Sequence, residues 1–371
     1  MFLHHVVEGL LEANYRLTLA IDLRTETARK ILREKNPDLL TETSQLNTYE
    51  KSGNYRKGSE INALADVFVE SGAGTTFVNS LDGFVSAMLR RAALGANPPA
   101  ELKSKMGGIY ERPRWFSEAF GGFNNWLKQR GFTRLSRNGW FTNILLLNEF
   151  FAKDMPRQFP DTQFGFLPTT GPRVTIPQEE ARRHLDLPSN PVILLNYGVG
   201  HRRKGLHLVT QALNKINSPR LFLLCAGKQN RDSATLEETL HLEKQGRAKV
   251  LNRYITEEEE GLCFRASDFI LAPYLSHFGN SNILAQAVLA GRPVLASDYD
   301  LIGRRVRERQ LGILFKDQSI ADLTSKLKTL STANPSAHES YTEALDHYAQ
   351  ELSIESFRTA LQTVFPKGHP E

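Results

Sequence analysis

Several polar and charged residues in the second half of the chain lie beside short apolar runs. Lys204 comes just after "PVILLNYG", and the stretch "GNSN" at 279–282 comes just before "ILAQAVLAG". An ammonium group can neutralise an anion, and small residues at a helix start let backbone amides approach a phosphate. A solvated lysine and an ordinary helix cap are the alternatives, but a lysine at a helix start opposes the helix dipole, which favours a function. These residues predict a site for a phosphorylated ligand.

The elements that position these residues alternate between apolar strands and helical patterns from Pro191 onward. Fully apolar strands separated by helices indicate a parallel sheet covered on both faces, and therefore a doubly wound α/β domain over residues 191–345. Thr256 and the glutamates that follow it are interpreted as the solvated start of one of these helices, with an N-cap and acids in the first turn.

The first half of the chain shows the same alternation less regularly, which indicates a second Rossmann-like domain over residues 1–168. Prolines from 168 to 191 interrupt the pattern, so residues 169–190 are predicted to link the domains. Residues 346–371 are predicted to form a C-terminal helix that packs back on the first domain. The chain opens with a helical pattern where a doubly wound domain has a strand. Either the start codon is placed too late and a strand is missing, or the domain begins with a helix.

Four stretches of the second half carry a resemblance to a known family. They are "GVGHRRKGLHLVTQAL", "LLCAGKQ", "YITEEEEGLCFRASDFILAPY" and "GNSNILAQAVLAGRPVLASD". In order and spacing they resemble the donor-binding half of retaining glycosyltransferases of family four. The resemblance implies a GT-B architecture, with two Rossmann-like doubly wound domains facing a central cleft, and a nucleotide-diphosphate-sugar as the donor.

The resemblance also implies roles for individual residues. Lys204 stands where the family has a lysine that holds the leaving diphosphate, and it is predicted to be catalytic. Many relatives have an arginine at the position of Gly198. His201, Arg202 or Arg203 in the same loop are the candidates to replace it, and Gly200, His201 and Arg203 are predicted to bind the donor. The glycine turn is predicted to bind the phosphates of the donor through Gly279, Asn280, Ser281 and Asn282.

Two glutamates with seven residues between them are typical of the family, and Phe278 and Gln286 stand in their places. Gln286 can still exchange hydrogen bonds with a ribose, so it is predicted to bind the nucleotide. Phe278 can contact a ligand but cannot accept a proton, and His277 is the candidate for the work of the first glutamate. The resemblance implies that the leaving diphosphate helps to deprotonate the acceptor, so the loss of both acids is compatible with transfer.

In the first domain, Asp82 follows the predicted strand "TTFVNSL". Open α/β sheets bind ligands at the carboxyl ends of their strands, so Asp82 is predicted to contact the reacting sugar. Capping of the next helix is an equally good interpretation. His4 and His5 lie where a first loop meets the acceptor, and an exposed terminal pair without a function is the alternative.

Length and composition fit a two-domain protein, since 371 residues of which 40% are hydrophobic suffice for two cores. The two cysteines lie in apolar runs, which indicates buried thiols in a reducing, cytoplasmic compartment. No apolar run is long enough to span a bilayer. The formal net charge of +5 permits anionic partners, but no nucleic-acid motif accompanies it.

Residues 100–140 combine basic and aromatic side chains. Eight Lys or Arg stand against three Glu, with Trp115, Trp126, Phe132 and Trp140 between them. This pattern is typical of a protein that rests on an anionic lipid surface at the inner face of a membrane, and a solvated face with core aromatics is the alternative.

The sequence as a whole predicts a metal-independent retaining transferase that needs no cofactor. It moves a hexose-type sugar from a nucleotide-diphosphate-sugar to a glycan or lipid-linked acceptor. The alternatives are a catalytically inactive nucleotide-sugar-binding or scaffold protein and a sugar-nucleotide epimerase of the same fold.

Overall fold

The structure is a computed structural model that describes residues 2–13, 15, 17–21, 46–50, 60–229 and 231–365. The chain divides into two compact units. The first comprises Met1–Pro168 and Ile354–Glu371, and the second comprises Thr169–Ser353.

The first unit contains a four-stranded parallel sheet and a separate parallel pair of strands among the described residues. In the larger sheet the strands lie in chain order. Its elements begin with α1 (Phe2–Glu12), β1 (Leu17–Ile21), β2 (Leu46–Glu50), α2 (Glu60–Ser71), β3 (Thr76–Val78), α3 (Leu81–Ala93), β4 (Met106–Tyr110), α4 (Phe123–Arg137), β5 (Phe141–Leu146), α5 (Glu149–Gln158) and β6 (Gln163–Phe166).

The second unit contains a six-stranded parallel sheet with the strand order β12-β11-β10-β7-β8-β9. A short 3₁₀ turn over Arg202–Lys204 follows its first strand, and a second one covers Pro335–Tyr341. Its main elements are α6 (Gln178–His184), β7 (Val192–Tyr197), α7 (Leu206–Ile216), β8 (Leu221–Ala226), α8 (Ser233–Lys244), β9 (Ala248–Leu251), α9 (Glu257–Ala266), β10 (Phe269–Ala272), α10 (Asn282–Leu289), β11 (Val294–Ser297), α11 (Asp300–Arg309), β12 (Gly312–Phe315), α12 (Ile320–Thr332) and α13 (Thr342–Glu351).

The core of the second unit has two layers because its sheet is buried on both faces. Along β7, Ile193 and Leu195 belong to one hydrophobic cluster, whereas Val192 and Leu194 belong to another. Successive strand residues point to opposite faces, so the alternation places one cluster on each side of the sheet. The predicted doubly wound α/β fold is confirmed.

The residues predicted as a linker, 169–190, lie within the second unit. Arg182 of α6 forms a buried ion pair with Asp268 at 2.7 Å and donates a second hydrogen bond to the carbonyl of Ala266. Asp268 also accepts a hydrogen bond from the backbone N–H of Ile193, at the start of the first strand of this sheet. A charge network therefore fixes this segment to the base of the sheet.

The last helix of the chain, α14 (Ile354–Val364), belongs to the first unit. The carbonyl of Val364 accepts a hydrogen bond from the Asn143 side chain at 2.6 Å. Phe357 and Leu361 are fully buried in a cluster with Val6 and Leu10 of α1. The first unit is therefore completed by a segment that returns from the far end of the chain.

Both cysteines of the chain, Cys225 and Cys263, are buried free thiols, as the sequence predicts. Burial raises the pKa of each thiol to about 12. Within the described residues, no helix combines the length and the apolar character that a bilayer span requires.

Candidate active site in the second unit

The strand order of the second sheet creates a crevice at one point of its carboxyl edge. The chain runs from β7 to β8 and β9 on one side, and then returns to β10 on the other side of β7. Loops that leave adjacent strands in opposite directions open a crevice where ligands bind in folds of this type. The loop after β7 carries Lys204, and the loop after β10 carries the 279–282 turn. Both predicted phosphate-binding groups therefore flank the same crevice.

The two loops contact each other directly through their backbones. The N–H of Leu275 donates a hydrogen bond to the carbonyl of Arg203 at 2.9 Å. Gly205 has a φ of +76°, and a Cβ atom added there would lie 1.8 Å from the carbonyl oxygen of Pro273. Only glycine combines this backbone angle with so close an approach. The β7 loop is therefore held against the β10 loop at the position next to Lys204.

Lys204 is a partly buried cation at the carboxyl end of β7. Its Nζ lies 3.4 Å from the carbonyl oxygen of Tyr197, a long hydrogen bond. Burial is the main cause that lowers the pKa of Lys204, and the positive charge of Arg203 adds to it. An ammonium group with so weak a partner gains free energy from a bound anion.

Gly198 leaves room for this ammonium group. A Cβ atom at Gly198 would lie 2.5 Å from the Nζ of Lys204, and the residue has a φ of +102°. The space beside the strand end is thus filled by the lysine, at the position where the resemblance implies an arginine.

The other predicted residues of the β7 loop differ in exposure. His201 and Arg203 are exposed, and the Nδ1 of His201 accepts a hydrogen bond from the backbone N–H of Arg203 at 3.2 Å. Gly200 donates its N–H to the carbonyl of Lys228, and its backbone packs against Gln229. His201 and Arg203 can reach a ligand from the solvent side, whereas Gly200 fixes the loop to its neighbour.

In the β10 loop, the backbone N–H of Gly279 already has a partner. It donates to the Oδ2 of Asp300 at 2.8 Å. Asp300 is the first residue of α11 and has a φ of +47°, a left-handed backbone angle that is unusual outside glycine. The N–H group that the sequence assigned to the phosphates of the donor thus already donates a hydrogen bond to a carboxylate of the protein.

Asn280 is also satisfied by the protein. Its Nδ2 donates to the Oγ1 of Thr169 at 2.8 Å, and its Oδ1 accepts from Arg305 at 2.6 Å. The Nε2 of His277 lies 3.2 Å from the carbonyl oxygen of Asn280, and its ring packs edge-on against Tyr274. In this structure Asn280 and His277 hold the loop in shape.

The remaining residues of the turn lie at the start of α10. Ser281 is its N-cap residue and is buried, whereas Asn282 is exposed. Phe278 is only 3% exposed and packs as a core residue. An apolar side chain therefore fills the position where the resemblance implies the first glutamate.

Gln286, in the second turn of α10, contacts a carboxylate that sequence reasoning had not singled out. Its Nε2 donates to the Oε1 of Glu260 on α9, and the hydroxyl of Tyr197 donates to the Oε2 of the same carboxylate. Burial is the first cause that raises the pKa of Tyr197, and the hydrogen bond to Glu260 adds to it. The phenol therefore stays protonated and donates.

The sequence of α9 contains a pattern that indicates an inward-facing Glu260. Thr256 and Glu259 form the predicted cap, as a capping box. Glu260, the next residue, stands three and four positions before the buried residues Cys263 and Phe264. Residues three and four apart share a helix face, so Glu260 is the acid of that run that turns toward the sheet.

In the first unit, Asp82 binds backbone amides across the sheet edge. Its two carboxylate oxygens accept from the N–H groups of Glu111 and Arg112, each at 2.7 Å. Ser80, rather than Asp82, is the N-cap residue of α3. Burial raises the pKa of Asp82, and the two backbone hydrogen bonds oppose that rise. In this structure Asp82 connects α3 to the loop after β4. His5 of the terminal pair contacts Glu8 at 3.5 Å.

Comparison with known proteins bears on the second unit above all. Residues 177–347 match the family model described as "Glycosyl transferases group 1". This segment of the chain is therefore similar to a group 1 glycosyltransferase domain. This domain contains the whole six-stranded sheet, both crevice loops, Glu260 and Gln286. A comparison with curated proteins gives no match.

Solved structures with the same fold cover both units. Sucrose-phosphate synthase from Thermosynechococcus elongatus has a TM-score of 0.68 at 16% identity, over 98% of this chain and 92% of that one. A glycosyltransferase from Rickettsia africae ESF-5 has a TM-score of 0.65 at 12% identity, over 98% and 95%. The Anabaena protein HepE, solved with UDP and glucose, has a TM-score of 0.64 at 12% identity, over 97% and 95%.

These likenesses establish the GT-B fold with two Rossmann-like domains. The matched domain and the fold together support a glycosyltransferase.

Proposed function

We propose that the protein transfers a sugar, with retention and without a metal, from a nucleotide-diphosphate-sugar to a glycan or lipid-linked acceptor. The observation that carries the proposal is Lys204. It places a partly buried ammonium group, with one long hydrogen bond among the described residues, at the switch-point crevice of the group 1 domain. HepE, a protein of the same fold, was solved with UDP and glucose, which makes UDP the first nucleotide to test.

The chemistry follows from the charge of the leaving group. When the glycosidic bond to a nucleotide-diphosphate breaks, negative charge accumulates on the diphosphate. Cations and backbone amides that face this charge lower the barrier. Lys204 supplies a fixed cation, and the exposed Arg203 supplies a second one from the same loop. Because the buried Phe278 offers no base, the departing diphosphate is the group that takes the proton of the acceptor hydroxyl.

The test compares Lys204→Ala with Lys215→Ala, which removes an exposed lysine at the other end of α7. Lys204→Ala should weaken binding of UDP, ADP or GDP by about 1.5–3 kcal/mol, the size of a charge-assisted hydrogen bond, and should leave nucleoside binding unchanged. Calorimetric titration measures both affinities. An equal loss for nucleoside and diphosphate would remove Lys204 from the phosphate site.

Turnover separates the proposal from its alternatives. Incubation with a panel of UDP-, ADP- and GDP-sugars and an acceptor extract should release a nucleoside diphosphate and form a glycoside with the anomeric configuration of the donor. Nucleotide binding without turnover of any sugar nucleotide would favour an inactive binding protein. A free epimerised product in the absence of an acceptor would favour an epimerase.

One surface favours an acceptor at a membrane. Phe123 and Trp126 at the start of α4 are 73% and 51% exposed, and their rings stack at 5.7 Å. The guanidinium of Arg130 lies 5.7 Å from the ring centre of Trp126. Exposed aromatic rings beside cations are suited to the headgroup region of an anionic bilayer. We propose that this surface rests on such a membrane.

Vesicle co-sedimentation tests this contact. The protein should bind vesicles that contain phosphatidylglycerol more strongly than vesicles of phosphatidylcholine alone, and high salt should weaken that binding. The double variant F123S/W126S should lose the binding while it keeps nucleotide affinity. Equal binding of both vesicle types, or no effect of the double variant, would show that the aromatic pair is an ordinary surface feature.

A further inference from the structure

We propose that the second unit holds a further binding site, for a small phosphorylated molecule, at the edge of its sheet opposite the crevice. The site is a cavity of about 390 Å³ whose lining includes Arg265, Arg292 and residues of α13. Cavities of this size hold small-molecule ligands. All of the lining residues belong to the second unit, and none of them is among the crevice residues described above. The inference is therefore independent of the proposed function.

The cavity lies at the amino edge of the sheet. Arg292 stands between the end of α10 and the start of β11, and the N–H of Ile270 in β10 donates to the carbonyl of Pro293. Arg265 lies in the last turn of α9, just before β10. Because β7, β10 and β11 are parallel, residues that enter these strands lie at the edge opposite the one that carries Lys204. A ligand in the cavity thus binds apart from a donor in the crevice.

Arg292 is a buried cation without an anion. Its side chain is only 3% exposed. Among the described residues, one of its three side-chain nitrogens has a partner, since Nη2 donates to the carbonyl of Arg265 at 2.9 Å. Its Nε is buried without a hydrogen-bond partner. Burial lowers the pKa of Arg292 to about 10, and the positive charge of Arg265 adds to this effect. A buried charge of this kind is costly, and a bound anion removes much of the cost.

Arg265 supplies a second guanidinium group to the cavity. Its Nε donates to the carbonyl of Ile176 at 2.7 Å, and its Nη1 donates to the carbonyl of Ala290 at 3.0 Å. These neutral partners fix the group in place but do not cancel its charge. Capping of helix carbonyls is the alternative role for both arginines. That role leaves the buried, unpartnered Nε of Arg292 unexplained.

The acids around the cavity do not neutralise these two cations. Asp346 lies 2.9 Å from Arg173, and Asp268 lies 2.7 Å from Arg182, so both carboxylates already have a cation of their own. Glu339 lines the cavity but is exposed, where solvent screens its charge. A phosphate monoester offers close to two negative charges and three acceptor oxygens. This suits two guanidinium groups better than the single charge of a carboxylate does.

The rest of the cavity suits a small polar body attached to the phosphate. Thr175, Gln178 and Thr342 line it and offer hydroxyl and amide groups. Val288 and Leu289 add apolar surface. A phosphate group alone fills only part of such a volume. The lining therefore fits a short polyhydroxylated phosphate, such as a sugar phosphate or a glycerol phosphate.

Calorimetric titration with inorganic phosphate, glycerol 3-phosphate and glucose 6-phosphate tests the site, with glycerol and glucose as the matched neutral ligands. At least one organic phosphate should bind more tightly than inorganic phosphate, and neither neutral ligand should bind. Arg292→Met removes the charge but keeps an apolar chain of similar length. It should weaken binding of the organic phosphate about tenfold or more, the value of a hydrogen bond to a charged group. Lys204→Ala should bind this ligand as the wild-type protein does.

Thr342→Glu tests the same charge balance without a change in the core. Thr342 is the exposed first residue of α13, where an acid is favourable for the helix dipole, so the fold should persist. The new carboxylate should weaken binding of the organic phosphate about threefold or more. Thr329→Glu, at an exposed threonine of α12 that does not line the cavity, is the matched control and should leave binding unchanged. Thermal unfolding without ligand reports whether each variant is folded.

Several outcomes would overturn the inference. Binding that is lost in Lys204→Ala but kept in Arg292→Met would place the anion at the crevice. Failure of all three phosphates to bind, or an equal loss in Thr342→Glu and Thr329→Glu, would exclude the cavity as their site. Neutral ligands that bind as well as their phosphates would remove the role of the arginines, and organic phosphates no tighter than inorganic phosphate would remove the role of the remaining lining. None of these results decides the proposed function, which depends on nucleoside diphosphates at the crevice.

Discussion

The two loops that flank the crevice differ in how far the protein satisfies its own polar groups. In the β7 loop, Lys204 has a single long hydrogen bond to the part of the chain that the structure describes, at 3.4 Å. In the β10 loop, the N–H of Gly279 and both polar atoms of the Asn280 amide have protein partners at 2.6–2.8 Å. The same sequence signal, a polar residue at a strand end, thus marks an open cation in one loop and an internally bonded scaffold in the other.

This difference indicates that the two loops have different roles in the domain. A group whose hydrogen bonds are already made must break them to bind a ligand, so it contributes little net affinity. A charged group that is partly desolvated and weakly paired gains most from a counter-ion. We therefore expect ligand affinity to depend on the β7 loop and stability to depend on the β10 loop.

The largest effect should come from the residue that joins the loops. Gly205→Ala puts a Cβ atom 1.8 Å from the carbonyl oxygen of Pro273, on a backbone with a φ of +76°. Gly246→Ala is the control, because its φ is +70° but nothing lies within 4 Å of the new atom. The control should lose about 1 kcal/mol of unfolding free energy, whereas Gly205→Ala should lose about 3 kcal/mol or more. Urea denaturation measures both, and equal losses would mean that the loops are not in contact.

A smaller loss of stability is expected for Asn280→Ala. The change removes the hydrogen bonds to Thr169 and Arg305, which should lower the unfolding free energy by about 2 kcal/mol. Affinity for nucleoside diphosphate should change little, since both polar atoms of the amide already have protein partners. Full stability together with weak nucleotide binding would instead make Asn280 a ligand contact, as its position in the glycine turn predicted.

Asp300→Asn should strengthen ligand binding, whereas the two preceding changes lower stability. Asparagine keeps an oxygen that can accept from the N–H of Gly279, but it removes a negative charge from the edge of the proposed phosphate site. Binding of nucleoside diphosphate should tighten by about 0.5–1 kcal/mol, the size of a partly exposed charge interaction. A titration that shows weaker binding would indicate that the carboxylate supports the site.

The smallest effect concerns pH. Burial lowers the pKa of Lys204 below its usual value of about 10.4. The charged lysine is costly in the folded protein, so stability from this group rises with pH between the lowered pKa and that of the unfolded chain. Diphosphate affinity follows the opposite trend and should fall as pH rises through the lowered pKa. Lys204→Arg should abolish this alkaline fall, because a guanidinium stays charged. An identical pH profile in both proteins would assign the titration to another group.

The sequence predicted the second domain well because its signals are local. Apolar runs such as the one that ends at Tyr197, and the glutamates after Thr256, depend on neighbours along the chain, and the structure shows a strand and a capped helix there. Which polar groups have a hydrogen-bond partner within the protein was not predictable in this way. The partner of Gly279 is 21 residues away at Asp300, and the partner of Gln286 is 26 residues away at Glu260. Only the packing of the sheet brings these pairs together.

The same limit applies to Asp82. Its place after a predicted strand was read correctly from the sequence, since it lies in the first turn of α3 just after β3. The amides of Glu111 and Arg112 that occupy its oxygens arrive on a different strand connection, 29 and 30 residues later. Its predicted contact with the reacting sugar stays a prediction.

The segment at 169–190 has a consequence for chimaeric proteins. Because Arg182 is buried against Asp268, a graft of the glycosyltransferase domain that starts at Pro191 would leave an acid without its cation in the core. A joint placed before Thr169 keeps the pair together. The return of α14 to the first unit requires a second joint after Ser353. The coding sequence of the domain therefore needs two crossovers, one at each of these joints. A recombinant with a single crossover would carry the domain incompletely.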